Sequence, residues 1–555
     1  MKLLLPLALG VLLAGCAGPA AREAPASAAQ AVPPVPVEGM KQMVRVLSAD
    51  EMEGRAPGTA TEPKVLDAIV ARFKAAGLEP GNNGSWLQPV PTVEVTAGNF
   101  SALTVSGKSA ALSFPYGEDY VAASYRVVPH TRIADSELVF VGYGIVAPEL
   151  GWNDYAGIDM KGKTAVILVN DPDYALEGED GLFKGRRMTY YGRWTYKFEE
   201  AARQGAAAAL IVHDTFPAAY GWNVVHSSWS GAQYYVQSAD DGADQTAANG
   251  WIQTPVAETI LKAAGQDPAA VIAAAGRKGF RPVPLGLTVG FSFDNTIRRA
   301  TSHNVIGVRP GTARKDEVVL HTAHWDHLGR CAPDATGDDI CNGAVDNATG
   351  VAALVALAEM NRVAGPTPRS QVYLAVTLEE SGLLGSEWYA RHPVWPLAKT
   401  AGVVNMDALH PTGRARDYAM NGGDKSDLTA IFRRAVADMG LRESPEPGPE
   451  RGMYYRSDHF SFARRGVPGF HIARGRDLFE GGTAAGDAAA KDYTDNRYHA
   501  PGDEYDESWD WSGIAADVEL FYRLGRALSV TGDWPNWHEG DEFRAIRDQS
   551  RAQGQ

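Results

Sequence analysis

The sequence predicts an α/β protein with a mostly parallel or mixed central sheet flanked by helices. After about residue 287, apolar runs such as "NVIGVRPG", "EVVLHTAH" and "SQVYLAVTLEE" alternate with helical stretches such as "ATGVAALVALAEMNRV". Strands that are apolar on both faces and separated by helices are typical of parallel sheets covered on both sides. A second alternation, with "GKTAVILVND" and "AARQGAAAALIVHD", lies in the middle of the chain. Two α/β units, or one with a large insertion, are therefore expected.

Length and composition limit the classes of function. A chain of 555 residues exceeds one ordinary domain, and its 45% apolar content is enough for sizeable cores. The formal net charge of -15 provides no basic surface of the kind that nucleic-acid binders need. We therefore expect an enzyme that has no nucleic-acid partner.

The N-terminus predicts export and a lipid anchor. In "MKLLLPLALGVLLAGC", Lys2 precedes an apolar run that is too short to span a bilayer, which needs about 20 residues. "LAGC" resembles the lipobox of bacterial lipoproteins, which implies that Cys16 is diacylated and becomes the first mature residue. Ala17 then favours the outer membrane, facing the periplasm, in a Gram-negative cell. The alternative is an ordinary secretory signal with an incidental cysteine. The Ala- and Pro-rich stretch that follows reads as a tether.

The remaining two cysteines, Cys331 and Cys341, form an even pair close in sequence. In an oxidising compartment such a pair is most simply a disulfide. The alternative, a pair of zinc ligands, lacks the CxxC spacing of known zinc sites.

The first part of the chain predicts a helix followed by short strands. Val65, Ile69 and Phe73 recur on one helical face, and the helix ends before Gly77. From about residue 92 to 124, short alternating runs predict strands.

Acidic and imidazole side chains follow several of the predicted strands at the point where each strand ends. His324 ends "EVVLHTAH", Glu379 and Glu380 end "QVYLAVTLEE", Asp407 ends "GVVNMD", and Asp346 precedes the next helix. Ligands collect at the carboxyl ends of strands in such sheets, so these groups are expected on one rim. Carboxylates packed this densely repel one another unless a divalent cation lies among them. Nitrogen and carboxylate ligands without thiolate suit zinc, with cobalt or manganese as substitutes.

Six blocks in order carry a resemblance to a known family: "AHWDHLG", "NGAVDNATG", "TLEESGLLGSEWY", "NMDA", "SDHFSF" and "YHAPGDEYD". Together they resemble the co-catalytic di-zinc exopeptidases of family M28, which include bacterial leucyl-type aminopeptidases and glutamate carboxypeptidases. "EGRAPGT" resembles the N-terminal lead-in of that family. The resemblance implies the zinc exopeptidase fold, peptide substrates and two Zn²⁺ per chain.

Site residues follow from the resemblance position by position. It implies that His324 and Asp407 bind one zinc, that Glu380 and His499 bind the other, and that Asp346 bridges them. A cis peptide bond after the bridging carboxylate occurs often in the family, so the bond that follows Asp346 is a candidate.

The catalytic roles also come from the resemblance. It implies that Glu379 is the general base and that Asp326 orients the imidazole of His324. Tyr498 is a candidate donor to the oxyanion, and its alternative is a packing role.

For four other polar residues, a structural role is at least as well supported by the sequence as a functional one. His321 and His327 are expected to be structural histidines and not ligands. Asp458 and His459 match a family block that lines the pocket, while a helix-start cap is an equal alternative.

The middle of the chain resembles a protease-associated domain inserted into the peptidase fold, through "GYGIVAP", "GKTAVILVND" and "AARQGAAAALIVHD". It has no catalytic constellation of its own and is expected to restrict access to the cleft. The predicted organisation is a signal peptide at 1–15, a tether at 16–36, a catalytic domain at 37–134 and 286–535, the insertion at 135–285, and a polar C-terminal tail at 536–555.

The sequence thus predicts a lipid-anchored zinc metallo-aminopeptidase of the bacterial cell envelope, in contact with the membrane through its anchor alone. A carboxypeptidase or dipeptidase on the same site is the first alternative, and it requires a fixed cation for the substrate carboxylate. A non-catalytic binding protein is the second, and the presence of every expected ligand type disfavours it.

Overall fold

The computed structural model describes residues 31–107 and 111–554 of the chain. The predicted signal peptide, Cys16 and most of the predicted tether lie outside the described residues. Within the described ranges, no helix is both long enough and apolar enough to cross a membrane.

The helix predicted around Ile69 is confirmed and is the second α-helix of the described residues. In chain order, the α-helices of the described residues are Val37–Leu47 (α1), Glu62–Ala75 (α2), Trp194–Arg203 (α3), Thr215–Ala218 (α4), Trp222–Ser228 (α5), Thr254–Ala263 (α6), Pro268–Ala275 (α7), Gly350–Ala364 (α8), Leu384–Arg391 (α9), Leu428–Asp438 (α10), His459–Ala463 (α11), Gly482–Asn496 (α12), Trp511–Val530 (α13) and Arg544–Gln553 (α14). The irregular helical turn Ala344–Thr349 leads into α8.

The strands include each of the predicted apolar runs. In chain order they are Glu79–Pro80 (β1), Leu87–Gly98 (β2), Leu103–Ser106 (β3), Ala111–Phe114 (β4), Tyr120–Ala123 (β5), His130–Phe140 (β6), Val146–Ala147 (β7), Trp152–Asn153 (β8), Thr164–Leu168 (β9), Ala208–His213 (β10), Ala232–Val236 (β11), Ala248–Gln253 (β12), Val283–Arg309 (β13), Arg314–His324 (β14), Gly329–Arg330 (β15), Ile340–Cys341 (β16), Arg369–Val376 (β17), Thr400–Asn405 (β18), Asp417–Met420 (β19), Arg442–Glu443 (β20) and Gly469–Arg474 (β21).

The sheet that carries the predicted site is mixed, with a parallel centre. β14 pairs in parallel with β17 on one side and with β18 on the other, and β18 pairs in parallel with β21. β13 closes one side of this group antiparallel to β17. Helices α8 and α13 pack on these strands, whose side chains are almost entirely buried. The predicted α/β class with a central sheet flanked by helices is confirmed.

A second group of strands lies between residues 103 and 293. β10 pairs in parallel with β9 and with β12, and β6 pairs in parallel with β9. Side chains from Leu103 to Phe293 form its apolar core. The long strand β13 joins the two groups, because its first half pairs with β6 and its last residues pair with β17. The division of the chain at 135 and 285 stays a prediction.

The second group also contacts the segment that precedes and includes α11. Tyr190 packs against Tyr455 and Phe460, with ring centroids 6.1 and 5.2 Å apart. Glu199 of α3 forms an ion pair of 2.8 Å with Arg464. The middle segment of the chain is therefore held beside the loop at 449–458, which leads into the predicted site.

The C-terminal segment 536–555 was predicted as a polar tail, and its described part packs against the catalytic sheet. Trp537 and Arg547 are each only 1% exposed. A guanidinium N–H of Arg547 donates to the carbonyl of Thr400 at 3.0 Å, at the start of β18. The sequence of α14 does not indicate this contact, because the helix is polar throughout and its one buried arginine does not change that pattern.

Cys331 and Cys341 form the predicted disulfide, with their Cα atoms 5.9 Å apart. Their pairing excludes the alternative that both are zinc ligands. The bridge lies beside the short hairpin of β15 and β16, in which Gly329 pairs with Cys341. It therefore closes the loop between His324 and Asp346.

Candidate metal centre

The parallel register of the sheet brings the predicted ligands to one rim. His324 is the last residue of β14 and pairs with Val376, the last residue of β17. Glu379 and Glu380 follow β17, and Asp407 follows β18 by two residues. When neighbouring parallel strands end at the same level, the residues that follow them lie close together at that edge of the sheet.

Asp346 lies between two histidines and turns one carboxylate oxygen toward each. Its Oδ1 is 3.2 Å from Nε2 of His324, and its Oδ2 is 3.5 Å from Nε2 of His499. Asp407 completes the first side, with Oδ1 3.2 Å from Nε2 of His324. Glu380 completes the second side, with Oε2 3.1 Å from Nε2 of His499. The structure thus brings together all five residues to which the resemblance gave ligand roles.

The donor set fits zinc on two observations of this site. Potential ligand atoms of His324, Asp346 and Asp407 all lie within 4.8 Å of one another, the separation expected of groups around one ion. Nε2 of His499 is buried and has no hydrogen-bond partner, although Glu380 is close to it. An imidazole nitrogen near carboxylates without hydrogen-bond geometry suits a metal ligand.

Glu379 and Glu380 are adjacent in sequence but have opposite environments. Burial raises the pKa of Glu379 well above its usual value; the charge of His324 opposes the shift, and Asp407 adds to it. Burial and Asp346 also raise the pKa of Glu380, yet the hydrogen bond from His327 and the nearby imidazole of His499 outweigh them and lower it to about 2. The two carboxyls therefore differ in proton affinity. The carboxyl of Glu379 suits a group that accepts a proton, and that of Glu380 suits a metal ligand that stays ionised.

Asp326 supports the site in a different way from the one predicted. Its carboxylate accepts the backbone N–H groups of Glu379 and Glu380 at 3.1 and 3.3 Å. The nearer acceptor for Nδ1 of His324 is the backbone carbonyl of Asp326 at 3.1 Å, while its carboxylate oxygen is 3.8 Å away. The residue thus orients the imidazole through its main chain and holds the paired glutamates through its side chain.

Two supporting residues lie inside the resemblance blocks but were not singled out from the sequence. The hydroxyl of Ser457 donates to Oδ2 of Asp407 at 2.6 Å. The carboxylate of Asp503 accepts the N–H groups of Val345 and Asp346, both at 3.0 Å. The sequence could have indicated these supporting residues through their positions in the blocks "SDHFSF" and "YHAPGDEYD". The peptide bond between Asp346 and Asn347 is cis, as predicted.

Arg55 is a third supporting residue and the most remote in sequence. It is fully buried and donates to the carbonyls of Leu47, Trp325, Asn342 and Gly343 at 2.6 to 2.9 Å. Burial lowers its pKa to about 10, and the carboxylates of the site act in the opposite direction. Its guanidinium joins the segments that carry His324 and Asp346.

His321 and His327 differ although both were predicted to be structural. His321 is fully buried in β14, and its ring stacks on Tyr373 with centroids 5.0 Å apart. His327 donates from Nδ1 to Oε1 of Glu380 at 2.6 Å and leaves Oε2 free to face His499. The sequence did not distinguish the two histidines, because both lie in the short stretch "HTAHWDH" at the end of β14 and just after it.

Tyr498, Asp458 and His459 surround the centre. The ring of Tyr498 stacks on His499 with centroids 3.9 Å apart, and half of the residue is exposed. Burial and the carboxylates of Asp346 and Glu380 raise the pKa of Tyr498, so its hydroxyl keeps its proton. Asp458 precedes α11 but its side chain makes no cap hydrogen bond, which argues against the cap alternative. His459 is fully buried.

The comparisons with known proteins agree with the location of this centre. Residues 304–523 match the sequence profile described as Peptidase family M28. A search of curated proteins found no match.

Solved structures also show similarity. An aminopeptidase from Aneurinibacillus sp. strain AM-1 is 19% identical, with 90% of this chain and 95% of that chain covered and a TM-score of 0.47. A zinc aminopeptidase from Bacillus subtilis is 17% identical, with 92% and 99% covered and a TM-score of 0.41. A Peptidase M28 precursor from Shewanella amazonensis is 16% identical, with 89% and 96% covered and a TM-score of 0.39.

Proposed function

We propose that the protein is an aminopeptidase with two zinc ions, since residues 304–523 match the profile of Peptidase family M28 and carry the predicted ligands. The observation that carries the proposal is Asp346, whose two oxygens face His324 and His499 separately. One zinc would be held by His324 and Asp407, the other by Glu380 and His499, and Asp346 would bridge them.

Two bound zinc ions supply a water that loses its proton near neutral pH and a polarised scissile carbonyl. Glu379 accepts that proton and delivers it to the leaving amine. Its position supports the role, since it lies 4.0 Å from Nε2 of His324 and its raised pKa favours holding a proton. Tyr498 keeps its hydroxyl proton and donates a hydrogen bond to the oxyanion that develops on the carbonyl.

The charge of the site supports recognition of a free ammonium group. In the proposed site, the negative charges of seven acidic side chains would be compared with the positive charges of two zinc ions and one buried arginine. These are Asp326, Asp346, Glu379, Glu380, Asp407, Asp458 and Asp503, with Arg55 as the arginine. Burial raises the pKa of Glu379, Asp326 and Asp458, and bound zinc would oppose that shift; the carboxylates ionised beyond those that the cations neutralise would leave negative charge beside the reacting carbonyl. Such a field attracts the N-terminal ammonium of a peptide and repels a carboxylate.

Substrate assays with metal removal test this function. We expect the purified protein to hydrolyse amino-acid p-nitroanilides and to leave their N-acetylated forms intact, because the acetyl group removes the ammonium charge. Dialysis against a strong chelator should abolish activity, and zinc should restore it with two ions per chain by elemental analysis. Hydrolysis of N-blocked dipeptides in place of the p-nitroanilides would establish the carboxypeptidase alternative. Full activity after verified removal of metal would refute the proposal.

We also propose that Cys16 carries a lipid that anchors the protein to the cell envelope, as its sequence context predicts. A diacylglycerol carries two acyl chains and therefore anchors stably. Cys16→Ser should lose incorporation of labelled palmitate and leave the membrane fraction. Ser27→Ala, in the tether that follows, is the matched control and should fractionate like the parent. Unchanged membrane fractionation of Cys16→Ser would contradict the anchor.

A further inference from the structure

A crevice outside the metal centre opens at the carboxyl ends of the second group of strands. β6, β9, β10 and β12 run in the same direction. Phe140, Leu168 and Val212 lie at or next to the last residues of β6, β9 and β10, and they line a cavity between the sheet and helices α6 and α7. Ligands collect outside the carboxyl ends of the strands in such sheets. The cavity therefore lies where a parallel sheet binds small molecules, and it includes no residue of the metal centre.

This cavity has apolar walls and one buried hydroxyl. Its volume is about 550 Å³, counted out to the solvent at its mouth. Val166 of β9, Leu261 of α6 and Ile272 of α7 are among its walls, which therefore suit an aliphatic side chain. Tyr143 also lines the cavity and is only 5% exposed, and its hydroxyl has no hydrogen-bond partner in the described part of the chain. A buried hydroxyl without a partner is free to bind a ligand.

Two opposite charges lie at the mouth of the cavity, on either side of Phe216. Asp214 lines the cavity, and its Oδ1 accepts the N–H of Phe216 at 3.1 Å. The guanidinium carbon of Arg186 lies 5.0 Å from the centre of the Phe216 ring. Neither Asp214 nor Arg186 forms an ion pair within residues 31–107 and 111–554, whereas Glu258, the other acidic residue of the lining, pairs with Lys262 at 3.2 Å. A molecule that carries both charges can bridge the two free groups.

A more polar crevice adjoins the cavity on the side of Arg186. Tyr174 and Pro217 line both spaces, while Arg186 and Glu450 line the polar one. The ring of Tyr174 lies 5.9 Å from that of Phe216, so the aromatic residues form the boundary between the two spaces. Glu450 belongs to the loop that leads into the metal centre. The polar crevice therefore lies where the middle segment meets that loop.

A buried lysine holds the frame of both spaces. Lys197 is fully buried, and its Nζ donates to the carbonyls of Tyr143 and Asn170 at 2.6 and 3.0 Å. Nδ2 of Asn170 donates in turn to the carbonyl of Pro217 at 2.7 Å. One chain of hydrogen bonds thus fixes residues of the cavity and of the polar crevice. A site that is formed before its ligand arrives loses less entropy on binding.

We propose that this crevice binds a free apolar α-amino acid. The side chain fills the cavity at the strand ends, the ammonium contacts Asp214, and the carboxylate contacts Arg186. An α-amino acid holds both charges on the carbon that bears the side chain, which matches an apolar cavity with opposite charges at its mouth. The inference goes beyond the proposed function, because the site uses no zinc. Its ligands belong to the class of molecules that the proposed aminopeptidase would release.

Calorimetric titration of the unmodified full chain is the first test, with L-leucine as the probe. L-leucine should occupy one site per chain in the zinc-free protein and keep that site when zinc is restored. It should bind at least about tenfold more tightly than L-alanine, because its side chain buries more apolar surface. Binding that appears only with zinc would place L-leucine at the metal centre and overturn the proposal. Equal affinity for L-leucine and L-alanine would also overturn it.

Two analogues of L-leucine test the charged contacts on the zinc-free protein, which does not hydrolyse them. L-leucinamide lacks the carboxylate, and 4-methylpentanoate lacks the ammonium. Each should bind at least about tenfold more weakly than L-leucine, because each leaves Arg186 or Asp214 without its partner. Affinities equal to that of L-leucine for both analogues would contradict recognition of an amino acid. Failure of the protein to hydrolyse p-nitroanilides would refute the proposed function and leave these titrations unchanged.

Variants of the lining are the second test. Asp214→Asn should weaken binding of L-leucine at least about tenfold, while an asparagine still caps α4. Asp267→Asn is the matched control, since it makes the same change at the cap of α7, where Asp267 accepts the N–H of Ala269 at 3.1 Å, and it should bind like the parent. Ala257→Phe should abolish binding by filling the cavity.

Thermal unfolding of each zinc-loaded variant shows whether it is folded. Parent-like binding of L-leucine by folded Asp214→Asn would overturn the proposal, as would parent-like binding by folded Ala257→Phe. If Ala257→Phe does not fold, Asp214→Asn and the titrations of the unmodified protein decide the question.

Discussion

Glu379→Gln is expected to lower kcat at least about a hundredfold while the protein retains its zinc. In the proposed site, the carboxyl of Glu379 lies beside the metal ligands and is not one of them, and burial raises its pKa well above the usual value. An amide of the same shape cannot accept the proton of the attacking water. The measurement is kcat on an amino-acid p-nitroanilide together with zinc content by elemental analysis.

Glu380→Gln is the matched control, because it makes the same change one residue further along. The hydrogen bond from His327 and the nearby imidazole of His499 keep this carboxylate ionised, so its loss should reduce zinc content as well as activity. If Glu379→Gln loses zinc and Glu380→Gln retains it, the base and ligand roles of the two residues are reversed. Loss of zinc in neither variant would argue against Glu380 as a ligand.

Arg55→Met is expected to lower the free energy of unfolding by about 3 kcal/mol or more and to reduce zinc affinity. The variant leaves four buried carbonyl oxygens without their donor, at Leu47, Trp325, Asn342 and Gly343. It also removes a buried positive charge that interacts with the carboxylates of Asp503, Asp326 and Asp346. Denaturant unfolding and zinc titration of the purified variant measure both effects.

Arg55→Lys and Arg45→Met separate the contributions of charge and hydrogen bonding. Arg55→Lys keeps the charge and cannot reach all four carbonyls, so its stability should fall between the parent and Arg55→Met. Arg45 forms an exposed ion pair with Glu507, and Arg45→Met should unfold close to the parent. A stability of Arg55→Met equal to that of Arg45→Met would show that the buried network does not support the site.

Local patterns in the sequence were enough to predict the strands and the residue types at their ends. The run "EVVLHTAH" became β14 and placed His324 at its last position, and "ATGVAALVALAEMNRV" became α8. The class of the fold followed, because apolar strands separated by helices pack as a parallel sheet with covered faces. The convergence of the ligands also followed, since parallel strands that end together expose neighbouring residues.

These local patterns could not predict contacts between residues that are distant in sequence. Arg55 lies 270 residues before Trp325, whose carbonyl it holds, and nothing in the periodicity around it indicates that partner. Asp326 orients His324 through its main-chain carbonyl at 3.1 Å, with its carboxylate 3.8 Å away, and no sequence pattern indicates which of the two groups is nearer.

The sequence by itself therefore determined the fold class, the family resemblance and the set of candidate ligands, because these depend on local periodicity and on the residue type at each strand end. Only the tertiary structure decided which polar groups support the ligands and which are left without partners. The hydrogen bonds of the buried Arg55 are the clearest case. Arg55 meets the carbonyls of Asn342 and Gly343 only when segments separated by 287 and 288 residues pack together, and local periodicity carries no information on such contacts.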